Sequence, residues 1–243
     1  MPDSDLAIFV PFFHDPGNAG GNIEELKKDR TMFRSSSLSG CPKQYVEVIN
    51  GAVFPDENKR YFLRGTKTHY FREKLTRPGT MLELETRWYV FHPTKPYYIT
   101  GQLDAMVLDE KGPYILDYKS AKFGAFYYKL KGMPDNNKRQ LGIYNYIFYC
   151  NNGVDNRECA IRFMDKDNPR QHIQIAAIIP TLAETEKFLL EHPAINYVMD
   201  GDLNALKVGT FRFNKEFPFF CNGYCGMHCK YNSKPELNKD DWI

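Results

Sequence analysis

The sequence predicts an α/β fold: a small mixed sheet of about five strands, flanked by helices and closed by a C-terminal cysteine-rich cap. Three observations predict it. Segments of period two occur over 81–91, across a hairpin at 100–119, and again over 158–164 and 172–179. Helical segments at 136–150 and 181–191 lie between and after these strands. Finally, Cys221, Cys225 and Cys229 fall within nine residues of one another, well past the last predicted strand.

Composition sets the frame for these elements. A chain of 243 residues is long enough for one domain with additions. We divide it into an N-terminal extension, 1–35, and a main domain, 36–243. The net charge of +2 neither requires nor excludes a polyanionic partner, so any basic binding surface must be local. No apolar run approaches a membrane span, and the first sixteen residues mix acids and prolines in a way that makes a poor secretory signal. An intracellular, cytoplasmic protein is therefore expected. In that setting six cysteines are better explained by metal or free thiols than by disulfides.

Taken in order, Ser35, Ser36 and Ser37 can cap a helix that contains Cys41 and runs towards Ile49. A second helix is expected over 56–75, carrying Gly65 and His69. The strand at 81–91 puts Leu82, Leu84 and Thr86 on one side and Glu83, Glu85 and Arg87 on the other, the latter a solvated face. The central hairpin follows. Its first strand runs through Gly101, Asp104 and Leu108, its turn spans 109–113, and its second strand carries Asp117, Tyr118 and Lys119. Alternation puts Asp117 and Lys119 on one face, and pairing can bring Asp104 beside Asp117.

Beyond the hairpin, 120–131 interleaves aromatics with lysines, a composition that suits either a single-strand groove or ordinary packing. Lys122, Lys129, Lys131, Lys138 and Arg139 are the densest basic cluster. Asn136 or Asn137 starts a helix to about Cys150, on which Gln140 and Tyr144 share a face. Thr181 and Glu184 have capping-box spacing, and His192-Pro193 interrupts the helix they begin. Cys150 and Cys159 have no motif around them and read as free thiols.

Two adjacent carboxylates repel unless a cation lies between them. Oxygen donors of this kind suit a hard divalent ion, Mg²⁺ or Mn²⁺. A lysine beside that ion can orient water or stabilise charge on a phosphate, the chemistry of metal-assisted phosphodiester hydrolysis. An isolated D-x-K would equally describe a surface hairpin facing solvent.

The motif is not isolated. Gly101-Gln102-Leu103-Asp104, then Asp117-Tyr118-Lys119, then Gln140 through Tyr144 occur in an order that resembles the PD-(D/E)xK nuclease superfamily. The likeness is to its RecB-like exonuclease branch, which includes the CRISPR-associated adaptation nucleases. It covers about 36–230 and implies a restriction-endonuclease-like core. It also implies a role for each motif residue. Asp104, Asp117, His69 and the Tyr118 carbonyl would hold Mg²⁺ or Mn²⁺, Lys119 would orient the attacking water, and Gln140 and Tyr144 would position the scissile phosphate. The resemblance further implies a [4Fe–4S] cluster held by Cys41, Cys221, Cys225 and Cys229. The C-x₃-C-x₃-C spacing is tighter than usual for the family, which leaves a structural Zn²⁺ site using the three late cysteines with His228 or Cys41. The expected function is a divalent-metal-dependent DNA exonuclease acting on free ends or single strands. The alternatives are a non-catalytic DNA-binding or assembly subunit and an endonuclease of the same superfamily.

Overall fold

The computed structural model describes residues 32–50, 81–91, 96–109, 112–130, 132–165, 167–168 and 170–201. The expected helix at 56–75 with His69, and Cys221, Cys225, Cys229 and His228, lie outside the described residues.

Six strands form one sheet. They are β1 (Met32–Arg34), β2 (Met81–Phe91), β3 (Pro96–Asp109), β4 (Gly112–Ala121), β5 (Cys159–Asp165) and β6 (His172–Ala177). β4 and β5 run parallel, as do β1 and β3, and the other pairings are antiparallel, so the sheet is mixed as expected. The strand missing from the expected set of about five is β1, which has only three residues.

β3 is the hub. β2 covers one of its edges from Phe91↔Pro96 to Met81↔Val107. The opposite edge is shared. β1 pairs with it at Tyr98, Ile99 and Thr100, and β4 pairs with it from Ala105 to Asp109. Between the two lies 101–104, the Gly-x-x-Asp stretch. A bulge falls at the same place. Leu82 opposes Met106 and Leu84 opposes Leu103, so Asp104 and Ala105 together face the single residue Glu83. The extra residue reverses the alternation: Leu103 and Met106 pack in one cluster while Ala105 packs in another. Bulges of this kind re-aim a side chain and end a ladder.

Two short helices, α1 (Ser35–Leu38) and α2 (Pro42–Ile49), replace the single opening helix expected from sequence. The serines lie inside α1 rather than capping it; the N-cap position belongs to Arg34. Pro42 explains the break, since the residue before a proline is pushed out of the helical region and Pro is favoured at a first helical position. After β4 come a 3₁₀ turn (Phe123–Ala125) and α3 (Phe126–Leu130). The long helix α4 (Asp135–Asn152) ends at Gly153, whose φ of 70° makes the left-handed cap that glycine adopts without penalty.

Helix α4 is buried on nearly every side. Leu141, Tyr144 and Phe148 pack on Leu103, Met106, Ile115, Ile161 and Phe163 of the sheet. Ile143, Tyr146 and Ile147 pack outward with Leu38, Tyr45, Val46, Leu189 and Ile195. Each fully buried Leu or Ile contributes about 1.5–3 kcal/mol, so α4 is the element on which both sides of the core depend. No helix among the described residues is long and apolar enough to cross a membrane.

The expected capping box is present at α5 (Leu182–Leu190): Glu184 N–H donates to Thr181 Oγ1, and Thr181 N–H donates to Glu184 Oε2. His192 then separates α5 from α6 (Pro193–Asp200) and serves as the N-cap of α6. Its Nδ1 accepts from Ala194 N–H at 3.2 Å, which leaves the proton on Nε2 to donate to the Leu38 carbonyl at 2.9 Å. The ring is 1% exposed. Burial lowers the imidazole pKa; the Leu38 contact opposes this, Arg139 adds to it, and the result is about 4. An unfolded histidine titrates near 6.5, so between pH 6.5 and 4 the unfolded chain takes up a proton that the fold refuses. Stability should therefore fall as pH drops through that window and flatten below it, by about 3 kcal/mol in all. Urea unfolding of the wild type and His192→Asn at pH 7 and pH 4.5 checks this. The substitution should shrink the gap between the two pH values, and an equal gap in both proteins would remove His192 as its source.

Candidate active site

The bulge and the fork in the edge of β3 determine where Asp104 goes. The ladder between β3 and β4 has its last paired residues at Ala105 and Leu116. One step further along, Asp104 and Asp117 follow one another on neighbouring strands. There the Asp104 carboxylate takes over from the backbone: its Oδ2 accepts from Tyr118 N–H at 2.8 Å. The two acids are thus fastened to the same end of the hairpin, the juxtaposition that the sequence led us to expect.

Asp117 is 2% exposed, on the face of the sheet beneath α4. Its two carboxylate oxygens lie 3.2 and 2.9 Å from the ammonium of Lys119, which shares that face. The lysine side chain is 30% exposed, so the ion pair lies at the boundary between core and solvent. Lys119 also donates to Gln140 Oε1 at 2.9 Å. Because an ammonium only donates, this contact fixes which end of the Gln140 amide faces the sheet. The Nε2 end then points along α4 and donates to the Tyr144 hydroxyl at 2.6 Å. The phenol accepts in that bond and keeps its own proton to donate. A single oriented chain therefore runs from Asp117 through Lys119 and Gln140 to Tyr144.

Electrostatics fix the protonation states along it. Burial works against charge on Lys119, but the carboxylates of Asp117 and Asp104 outweigh it and hold the ammonium above the usual lysine range. Lys119 is thus a cation at every physiological pH and has no role as a base. Burial and the nearby Asp117 raise the Tyr144 phenol, with Lys119 opposing, so it stays neutral. Tyr118 contributes backbone here. Its ring lies on the opposite face with Ala105, Leu116, Ala160 and Met164, under the guanidinium of Arg162 at 5.8 Å.

Gly101 completes the site in a way that the sequence did not disclose. A Cβ built there would lie 2.8 Å from Tyr144 Cε1, 2.9 Å from its Cδ1 and 2.9 Å from Ser35 Oγ. Glycine is what lets the Tyr144 ring lie directly on β3. Ser35, read from sequence as a cap, is instead a buried wall of this contact.

The donors present suit a hard cation. Asp104 and Asp117 are carboxylates on adjacent strands, one step past the last pair of the ladder those strands share, and Tyr118, whose N–H Asp104 accepts, follows Asp117 in sequence. Among the described residues no group of three or more His, Cys, Asp or Glu is placed to hold an ion. Mg²⁺ commonly binds through one or two carboxylates and completes its shell with water and phosphate oxygens, so this donor set fits it. Of the expected cluster ligands only Cys41 is described; it precedes α2, is partly exposed and is outside any disulfide. Cys150 and Cys159 are free thiols as expected, and burial is the first cause that pushes both up to about 12.

No protein-family model and no curated protein matches the sequence. A solved structure does share its fold. The chain resembles the crystal structure of the protein SSO0001 at 15% identity, with a TM-score of 0.53, over 87% of this chain and 96% of that one. A further likeness, with a TM-score of 0.40 and 16% identity, is to LHK-Exo, an alkaline exonuclease from Laribacter hongkongensis, over 74% of this chain and 98% of that one. The structure of LHK-Exo in complex with dAMP is similar at 14% identity, with the same TM-score, over 75% and 99% of the two chains.

Proposed function

We propose that the chain is a divalent-metal-dependent DNA nuclease that hydrolyses phosphodiester bonds, working as an exonuclease on free ends or single strands. The observation that supports this most directly is the oriented chain from Asp117 through Lys119 and Gln140 to Tyr144, with Asp104 fastened beside it. A domain that only bound DNA would have no use for a buried carboxylate held against a fixed ammonium at the edge of the core. The motif order that resembles the RecB-like nucleases adds to this reading.

Asp104, Asp117 and the Tyr118 carbonyl would hold Mg²⁺ or Mn²⁺, with His69 as a further ligand. That ion would supply a water of lowered pKa and neutralise charge on the phosphate. Lys119, a permanent cation, donates to the attacking water or to the phosphate oxygen on which negative charge grows; it takes no proton. Gln140 holds the Lys119 head in place, since its Oε1 is the second acceptor that the ammonium reaches. Tyr144, held neutral and with its proton to give, donates to a non-bridging phosphate oxygen. The test is a cleavage assay on end-labelled single-stranded and duplex DNA with Mg²⁺, Mn²⁺ or EDTA. Cleavage that survives in EDTA, or no cleavage with either metal, would remove the proposal.

We assign a [4Fe–4S] cluster to Cys41, Cys221, Cys225 and Cys229 as a second, structural centre. Anaerobically purified protein is then expected to be brown and to contain about four irons per chain. Cys41→Ser should lose iron as fully as Cys225→Ser. Zinc in place of iron in anaerobic material would overturn the cluster, and iron retained in Cys41→Ser would take Cys41 out of it.

A further inference from the structure

Between the last residue of β4 and α4 the chain exposes an apolar surface. Phe123 is 58% exposed, Tyr127 62% and Leu130 63%, while Phe126 in their midst is 5% exposed and belongs to the core. The three exposed residues recur at i, i+4 and i+7, so they follow one side of this segment. The position of Phe123 is fixed. Phe123 N–H donates to Asp165 Oδ1 at 3.1 Å, and that aspartate is buried at the end of β5. The Phe123 ring also leans on the buried Phe126 ring, with centroids 5.4 Å apart at 58°. An exposed aromatic ring held by a core ring and a backbone hydrogen bond is already ordered for a flat partner.

The charge around it selects that partner. From Tyr118 to Pro134 the sequence holds Lys119, Lys122, Lys129 and Lys131 and no acidic residue. Lys122, next to Phe123, is exposed. Asp165, the acid beside the segment, is engaged with the Phe123 backbone. Phe123 is four positions past Lys119, so the Cα atoms of the two lie within about 14 Å of one another even for a fully extended chain. An apolar protein partner would have no need of a segment whose charged residues are all lysines, and a phosphate-only contact would have no need of the rings.

We infer that Phe123 and Tyr127 form a stacking platform for unpaired bases of the strand whose backbone enters the site at Asp117 and Lys119. Aromatic faces accept any base, and lysines flanking them along the chain suit the phosphates without reading sequence. The platform rests on the nuclease reading for its direction towards the site, and it deepens that reading: the substrate it takes is single-stranded, or frayed for several nucleotides at an end. Bases held in a duplex present no faces to it.

The test is binding of the full chain to fluorescent oligonucleotides in EDTA, followed by anisotropy. The probes are a single strand of mixed sequence, the same strand carrying a run of abasic sites, and its blunt duplex. The wild type should bind the normal single strand about tenfold more tightly than the abasic strand, as expected for loss of stacking under one or two bases. Phe123→Ala/Tyr127→Ala should bind both strands alike, at the abasic level, and Phe123→Trp should keep the preference, which separates stacking from damage to the fold. Equal binding of normal and abasic strands by the wild type, an undiminished preference in the double alanine variant, tighter binding of the duplex, or no binding of any probe would each overturn the platform. Because no cleavage is measured, a base-dependent wild type that fails to cleave DNA with Mg²⁺ or Mn²⁺ would sink the nuclease reading and leave the platform standing.

Discussion

Lys119→Ala should cleave DNA about a hundred- to a thousandfold more slowly than the wild type at saturating Mn²⁺, the loss typical of removing one positioned donor to developing negative charge. The ammonium lies between Asp117 and Gln140, and no other described cation is bonded to that pair. Taking it away also leaves the 2% exposed Asp117 carboxylate with less compensation, so the variant should be less stable as well as less active. These two losses can be pulled apart. In Asp117→Asn/Lys119→Met the buried pair becomes neutral and close in shape, and burial of an uncompensated charge no longer arises. The double variant should therefore recover most of the wild-type Tm while cleaving no better than Lys119→Ala. Full activity in folded Lys119→Ala would rule out the mechanism. A double variant that regains activity together with Tm would show that the pair serves stability alone.

Why was so much of this arrangement readable in advance? The hairpin carries its own signals: period two on both arms, and a Gly-Pro pair that opens the second arm, within the turn expected over 109–113. The polar chain on α4 follows from spacing four, and the capping box at Thr181 follows from two residue types three apart. Each is a local rule. The unforeseen features depend on partners distant in sequence. β1 is a strand only because three residues of β3 accept it, and nothing in Met32–Arg34 announces pairing. The bulge exists only relative to Glu83 on another strand. Gly101 looked like one residue of a motif, and its reason, the Tyr144 ring on top of it, lies 43 positions away. The break between α1 and α2 was the exception. Gly40 and Pro42 punctuate the chain there, and that signal was outweighed by the serines before it. Phe123 and Tyr127 show the opposite limit, since composition alone does not say which aromatics of a mixed run turn away from the core.

Gly101→Ala should impair both stability and catalysis without touching any polar group of the site. The added methyl would sit 2.8–2.9 Å from two ring carbons of Tyr144 and from Ser35 Oγ, closer than carbon atoms tolerate. Neither neighbour can move aside cheaply. Ser35 is 1% exposed and Tyr144 5% exposed, and the ring is packed among Leu103, Leu141 and Phe148. Overpacking of this kind typically costs about 1–3 kcal/mol. If α4 yields instead, it carries Tyr144 and Gln140 with it, because both lie on the same helix. The 2.6 Å bond between them and the 2.9 Å bond from Lys119 then lose their alignment with Asp117. A misplacement of about 1 Å can cost a hundredfold in rate, so the expected result is a folded protein with a lower Tm and kcat down by about that factor. A compensating change sharpens the test. Gly101→Ala/Tyr144→Leu removes the two ring contacts and leaves the one with Ser35, so it should regain part of the Tm lost in Gly101→Ala but none of the kcat, since the phenol is gone. Wild-type kcat in Gly101→Ala would show that the contact between β3 and α4 does not position the site, and an unchanged Tm would show that the methyl finds room there.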